Sequence, residues 1–149
     1  MWRGRLPHWR ADDVNYYVTF RHRRDLTLKE SSLLLAELLR PDGRKWDVHI
    51  ACVLPGQTEI IFRIRQDPDR QPIELATIVE PAKRKAGNKI VRLSGEKFPP
   101  FFVESYDRII RDDAEFEERW QSIFDSPLGN ELVEDSEEYT ALYVSQAPS

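Results

Sequence analysis

Basic side chains that could neutralise phosphate groups are concentrated in the first two thirds of the chain. Residues 1–100 carry 19 Lys and Arg against 13 Asp and Glu, whereas residues 101–149 carry 3 against 13. The formal net charge of -4 therefore conceals a basic body and an acidic end. This distribution keeps nucleic acid among the expected partners. The candidate phosphate-binding residues are Arg3, Arg5, Arg10, Arg21, Arg23, Arg24, Lys83, Arg84, Lys85 and Lys89.

For any single basic cluster, a set of solvated surface charges is the competing interpretation. The first cluster also contains Trp2 and Trp9. Aromatic and basic side chains together stack on bases and neutralise phosphates in proteins that bind single strands. The alternative is that Trp9 anchors residues 1–14 on the body of the protein while the arginines stay in solvent. We treat residues 1–14 as a basic, aromatic arm.

The length of the chain is that of one ordinary domain. Its 149 residues, 40% of them hydrophobic, are enough to bury a core without disulfides or a structural metal. The single cysteine, Cys52, lies in the apolar run 48–54, where we expect a small buried thiol. No window approaches the roughly 18 apolar residues that span a bilayer, and the N-terminus lacks the apolar core of a signal peptide. We therefore expect a cytoplasmic protein with no membrane partner.

Alternating and β-branched runs predict four strands, at residues 16–21, 46–54, 59–65 and 101–110. Thr27 and Glu30 have the spacing of a capping box and open a leucine-rich helix that ends near Arg40. Apolar residues at helical spacing predict a second helix over residues 75–86, which Pro81 must kink or split.

The last predicted helix begins at Asp112 or Asp113 and is stopped by Pro127 and Gly129. An acidic end over residues 131–149 follows, and we expect it to lie along the surface or to be partly disordered. The order strand, helix, strand, strand, helix, strand, helix predicts a single α+β domain over residues 1–149. It is the ferredoxin-like split βαβ plan, an antiparallel sheet with helices on one face and an added C-terminal helix.

Local sequence strings narrow this plan to one family. The string at residues 5–9, followed by residues 16–21, resembles the opening of the REP-associated tyrosine transposases, the single-tyrosine branch of the HUH endonuclease superfamily. Residues 83–88 and 105–112 resemble the family's helix before the fourth strand and that strand itself. Residues 126–133 parallel its Asn-Pro-(x)4-Leu-Val ending. The resemblance covers nearly the whole chain and implies DNA binding, transposition and recombination.

The resemblance also shows which functional residues are replaced. In the family, a His-x-His pair on a strand and a ligand on the last helix hold a divalent metal, and a tyrosine one turn before the helix ligand attacks the scissile phosphate. Here the two histidine positions are Gln57 and Glu59, the tyrosine position is Ser122, and the helix-ligand position is Ser126. The resemblance therefore implies a family member whose catalytic positions are degenerate.

In an alternative interpretation, a metal ion still binds at Gln57 and Glu59. Residues i and i+2 of a strand share a face, so Gln57 and Glu59 could hold Mg²⁺ or Mn²⁺ weakly through an amide and a carboxylate oxygen. The site would need a further carboxylate, and His49 helps only if it lies on the right face. Our main expectation is that no cofactor is bound.

Tyr106 is the alternative nucleophile. Its neighbours match the family's fourth strand and not its nucleophile helix, which favours a packing residue with a solvated hydroxyl. Ser122 and Ser126 keep the helical spacing of the family's two positions, but an unactivated serine lacks the acidity and leaving ability of a phenol.

Three functions follow as hypotheses. The first is an inactive transposase relative that binds single-stranded or hairpin DNA, as a monomer or a homodimer, with the acidic end as an intramolecular phosphate mimic. The second is a metal-dependent single-strand endonuclease that uses Tyr106. The third is a protein-interaction module that retains only the fold, which the net acidity favours.

Overall fold

The described part of the chain is built on a five-stranded sheet. A computed structural model describes residues 14–44, 46–64, 76–102 and 105–145, and the strands in it are β1 (Asn15–Arg21), β2 (Trp46–Val53), β3 (Gln57–Ile64), β4 (Tyr106–Ile110) and β5 (Leu142–Val144). They pair antiparallel in the order β4-β1-β3-β2-β5. The first four strands have the ferredoxin-like arrangement, and the predicted α+β class is confirmed.

The helices are α1 (Leu28–Leu39), α2 (Ala76–Ser94) and α3 (Asp113–Gly129). The predicted capping box opens α1: Glu30 N donates to Thr27 Oγ1 over 3.2 Å, and Thr27 N donates to Glu30 Oε1 over 2.9 Å. Asp112 caps α3 by accepting from Glu115 N over 2.8 Å.

α2 and α3 lie on opposite faces of the sheet. The ammonium of Lys83 on α2 lies 4.6 Å from the ring centroid of Phe20, and the guanidinium of Arg119 on α3 lies 4.4 Å from that of Tyr17. Phe20 and Tyr17 are three apart on β1, so their side chains point to opposite faces. The main core, with Leu34, Leu38, Ile60, Phe62, Ala86 and Ile90, is buried between the sheet and the α1/α2 layer.

Two prolines lie inside helices. α2 runs through Pro81 as one helix, so of the two predicted effects of this proline, a kink or a split, the split does not occur. α3 also continues through Pro127 to Gly129, so the prediction that Pro127 stops it was wrong. A proline cannot donate to the carbonyl four residues earlier, but here Ser126 Oγ donates to that carbonyl, on Ile123, over 2.7 Å.

The acidic end contributes to the sheet. Residues Ser136–Glu138 form a short 3-10 helix, and β5 pairs with β2. Tyr139 and Ala141 are buried, and Tyr139 Oη donates to Val53 O over 2.7 Å. The expected surface tail is thus packed in this part, while residues 146–149 lie outside the described residues.

The fourth strand is shorter than predicted. β4 begins at Tyr106, whereas Phe101 makes only an isolated bridge to His22, and residues 103–104 lie outside the described part. No helix in the described part of the chain has the length and apolar character needed to cross a bilayer.

Candidate nucleic-acid interface

Gln57 and Glu59 lie at the start of β3, on the face that α3 partly covers. Gln57 Nε2 donates to Glu59 Oε1 over 2.6 Å. Glu59 pairs with Thr19 on β1 and with Cys52 on β2, so the carboxylate is enclosed from both sides. Burial raises the pKa of Glu59, and the Gln57 hydrogen bond and Arg119 oppose that rise.

Hydrogen bonds to the buried His22 hold the hairpin that carries Gln57. His22 Nδ1 donates to Pro55 O over 2.7 Å, and because a carbonyl can only accept, Nε2 is the nitrogen that accepts from Thr58 Oγ1, at 2.9 Å. His22 N also donates to Gly56 O over 2.9 Å. Burial lowers the pKa of His22, which favours this neutral ring.

The neighbours of Glu59 are a phenol and a guanidinium rather than further carboxylates. Arg119 lies over the Tyr17 ring and donates from Nε to Glu115 over 3.1 Å. Burial raises the pKa of Tyr17, and the charge of Glu59 adds to that rise. Within the described ranges, no three His, Cys, Asp or Glu side chains cluster closely enough to hold a metal ion.

His49 does not join this group. Its Nε2 lies 2.7 Å from Asn15 Oδ1, and its ring packs edge-on against Phe116 with 5.2 Å between centroids. Asn15 and Arg21 are the two ends of β1, and Gln57 pairs with Arg21. The proposed helper histidine is therefore at the opposite end of the sheet.

Gln57, Glu59 and Arg119 offer few ligands for a divalent cation. Mg²⁺ and Mn²⁺ prefer several oxygen ligands with negative charge, whereas Gln57 presents its N–H to the one carboxylate, and the guanidinium of Arg119 is close enough to influence the pKa of that carboxylate.

Ser122 and Ser126 both lie on α3, and Ser126 faces the sheet. Ser126 Oγ is 3.6 Å from Cys52 Sγ, next to Glu59 on the neighbouring strand. Cys52 is buried as predicted, and burial raises its pKa to about 12. Ser122 is exposed and lines a polar groove of about 570 Å³ together with Arg108, Arg111 and Arg119. Arg108 and Arg119 both pair with Glu115 in this groove.

Tyr106 lies on the same sheet face as Gln57. It pairs with Thr19, its ring meets Tyr17 edge-on with 6.4 Å between centroids, and 55% of the residue is exposed. A second groove of about 500 Å³ is lined by Thr19, Phe20, Arg21, Gln57, Phe102, Ser105 and Tyr106. We call this the Tyr106 groove. The alternative nucleophile and one replaced ligand position are thus brought together.

Nine of the ten basic candidates fall into three groups, and Lys83 is described separately. Arg3, Arg5 and Arg10 lie outside the described residues. Four are exposed, namely Arg21 and Arg23 beside the Tyr106 groove and Arg84 and Lys85 on α2. Two are held by carboxylates: Arg24 bridges Glu30 and Glu96, and Lys89 pairs with Glu37 over 2.7 Å.

The prediction that Lys83 binds phosphate is contradicted by its position in the structure. The residue is only 5% exposed, and its ammonium donates to Phe102 O over 2.8 Å. A charge directed into the protein cannot neutralise a phosphate at the surface, so Lys83 is a structural residue. Its neighbours Arg84 and Lys85 point to solvent because helical positions one and two further on face other directions.

Sequence reasoning missed Arg119, Tyr17 and Phe102. Arg119, Ser122 and Ser126 follow the helical spacing i, i+3 and i+7, which could have indicated that Arg119 shares their side of α3. No comparable local signal places Phe102 beside Gln57, because that contact depends on the course of the chain before β4.

Comparisons with known proteins support the fold. No protein-family model and no curated protein sequence matches the chain. Among solved structures, a REP-associated tyrosine transposase bound to a REP hairpin is similar, with a TM-score of 0.60 and 13% sequence identity over 92% of this chain and 80% of that one. At this identity the likeness shows a shared fold.

Proposed function

We propose that this chain binds single-stranded or hairpin DNA on the sheet face that carries Tyr17, Tyr106 and Gln57, and that it does not cut DNA with a metal ion. The observation that carries the proposal is the hydrogen bond between Gln57 and Glu59 at the positions that the resemblance assigns to metal-binding histidines. The solved transposase of the same fold is bound to a DNA hairpin, which supports DNA as the partner.

The binding half of the proposal rests on exposed aromatic and basic side chains. Tyr106 and Phe102 are 55% and 44% exposed, and the guanidinium of Arg23 lies 6.0 Å from the Phe102 ring centroid. Arg21 is exposed on the rim of the same groove. Proteins that bind single strands combine base stacking on aromatic rings with basic residues along the backbone.

The half of the proposal that concerns cleavage rests on the site chemistry. A neutral amide, one carboxylate and a nearby guanidinium form a poor cation site. At the helix positions, Ser126 donates its hydroxyl proton to Ile123 O and Ser122 lies among arginines. A serine nucleophile needs an adjacent base. Of the carboxylates that line that groove, Glu115 is occupied by Arg108 and Arg119, Asp112 caps α3, and no hydrogen bond joins Glu118 to the Ser122 hydroxyl in the described part of the chain.

Fluorescence anisotropy with a single strand and with a hairpin, measured across salt concentrations with and without EDTA, tests the proposal. We expect binding that weakens with salt and is unaffected by EDTA, and no nicked product in Mg²⁺ or Mn²⁺. Arg21→Ala with Arg23→Ala should weaken binding and reduce the salt slope by about two. The matched control, Lys29→Ala with Arg44→Ala, removes two exposed charges away from the groove and should change affinity little. Absence of binding at low salt would rule the proposal out.

A second candidate function, strand cleavage by Tyr106, is favoured by one observation: its ring and Gln57 line the same groove. Attack by the deprotonated phenol on a backbone phosphate would form a phosphotyrosine link to one strand end, break one phosphate–sugar ester bond, and release the other strand end as a hydroxyl. Incubation with labelled oligonucleotide and Mn²⁺, followed by denaturing electrophoresis, would detect the link. A covalent adduct that disappears in Tyr106→Phe and in Glu59→Gln would establish this activity over the first proposal.

A further inference from the structure

The Tyr106 groove has apolar walls and a polar floor. Its two exposed rings belong to Tyr106 and Phe102, and Phe20 also lines it, at a β1 position whose side chain points to the opposite face of the sheet. The polar side chains around it are those of Thr19, Arg21, Gln57 and Ser105. A cavity of about 500 Å³ with this lining has the size and composition of a site for a small planar ligand.

The orientation of the Gln57 amide is fixed. An ionised carboxylate can only accept a hydrogen bond, so the contact of 2.6 Å with Glu59 places Nε2 toward that residue. The carbonyl Oε1 and the second N–H of the amide then remain for a ligand. A donor and an acceptor side by side match the N7 and N6 edge of adenine, which Gln recognises with two hydrogen bonds.

Ser105 is one of the polar residues that line the groove. Its Oγ is buried and has no hydrogen-bond partner within the described part of the chain. Such unpaired buried hydroxyls are uncommon because each costs desolvation free energy.

Two hydrogen bonds hold the backbone of Phe102 in place without a ligand. Lys83 donates to Phe102 O over 2.8 Å, and Phe102 N donates to Arg21 O over 3.3 Å. The backbone of Phe102 is therefore fixed by these contacts and the Gln57 amide by Glu59, which limits the entropy lost on binding.

We propose that the Tyr106 groove binds one unpaired adenine, stacked on the Tyr106 ring, with its hydrogen-bonding edge on Gln57 and its phosphate at Arg21. The strand that supplies this base rests on the proposed DNA binding, whereas the affinity of the groove for the nucleotide itself does not. In this proposal Gln57, which the sequence resemblance aligns with a metal-binding histidine, recognises a base instead of a metal.

Anisotropy with labelled twelve-nucleotide thymidine strands that carry one central A, C, G or T tests the inference. We expect the strand with A to bind about fivefold to tenfold more tightly than the others. Tyr106→Ala should weaken binding about tenfold and Tyr106→Phe should retain it. Gln57→Leu should keep binding but remove the preference for A. Ile109→Ala is the matched control, because Ile109 is an equally exposed residue on the opposite face of β4.

The outcomes separate this inference from the proposed function. Equal affinity for all four strands, or unchanged affinity in Tyr106→Ala, would overturn the inference and leave DNA binding intact. If the protein bound none of the strands, the proposed function would fail. A titration with deoxyadenosine monophosphate, followed through the NMR signals of the Gln57 side-chain amide, would then decide the inference alone. Saturating shifts absent from Tyr106→Ala would support it, and unshifted signals would overturn it.

Discussion

The amide nitrogen of Gln57 lies 2.6 Å from a carboxylate oxygen of Glu59, so the two residues that the sequence resemblance aligns with metal-binding histidines bind each other. This contact engages one carboxylate oxygen of Glu59 as a hydrogen-bond acceptor. Arg119 adds a positive charge nearby, and it opposes the rise in the pKa of Glu59 that burial causes. The same face thus presents aromatic rings and an amide rather than metal ligands.

Glu59→Gln should tighten DNA binding by about twofold to fivefold at low salt. A carboxylate beneath the proposed interface repels phosphates, and removing one charge several ångströms away is worth roughly 0.5–1 kcal/mol in water. Anisotropy in low salt measures the change. Glu117→Gln, which removes an exposed charge elsewhere on α3, is the control. Weaker binding in Glu59→Gln than in the control would contradict this account.

Lys83→Ala should lower the free energy of unfolding by about 2 kcal/mol, since it removes a buried hydrogen bond from a charged group and the packing of the side-chain stem. Lys85→Ala, two residues further along and exposed, should change it by less than about 0.5 kcal/mol. Urea unfolding measures both. The salt slope of DNA binding should be the same in Lys83→Ala as in the wild type. A reduced slope would show that Lys83 does contact phosphates.

The parts of the structure that were predictable are those encoded over short distances. The capping box of Thr27 and Glu30 and the alternation of β1 specify their own elements. Lys83 was misjudged because its burial depends on Phe102, 19 residues away. Pro127 was misjudged because the hydroxyl of Ser126 replaces the missing backbone donor. The placement of Gln57 beside Tyr106 depends on pairing of β3 and β4 with β1, which only the whole sheet specifies.

Stability should fall by about 3 kcal/mol as the pH decreases from 6.5 toward 4, because of His49. Burial and the charge of Arg63 lower its pKa to about 4, while Asp47 opposes this. In this interval the unfolded chain binds a proton that the folded chain does not, so the contribution is complete above pH 6.5. Urea unfolding at several pH values measures it, and His22, whose pKa is also lowered, adds to the slope. His49→Gln should flatten the dependence, and an unchanged slope in that variant would contradict the assignment.

Deletion of the chain after Gly129 should destabilise the fold by about 3 kcal/mol or more, since it removes buried Tyr139 and Ala141 together with β5. The comparison with Tyr139→Phe, which loses only the hydrogen bond to Val53 O, should show a loss of about 1 kcal/mol. Thermal or urea unfolding measures both. Equal stability of the truncated and complete chains would mean that β5 contributes nothing to the core.

The phosphate-mimic hypothesis for the acidic end therefore needs a test that keeps β5. The exposed carboxylates of this segment are Glu131, Glu134, Asp135, Glu137 and Glu138, of which Asp135 is kept because it caps the 3-10 helix, leaving four glutamates to change. Replacing all four by Gln should leave the unfolding free energy within about 1 kcal/mol of the wild type, because exposed charges contribute little to stability. If these carboxylates compete with phosphates, DNA binding at low salt should tighten severalfold, and the difference should vanish at high salt because screening removes it.

The control for net charge changes the same number of exposed acids elsewhere to Asn or Gln, namely Asp112, Asp113, Glu117 and Glu118. Since Asp112 caps α3, stability of the control must be measured as well. Equal tightening in both variants would indicate a general charge effect and would rule out a specific role for the acidic end.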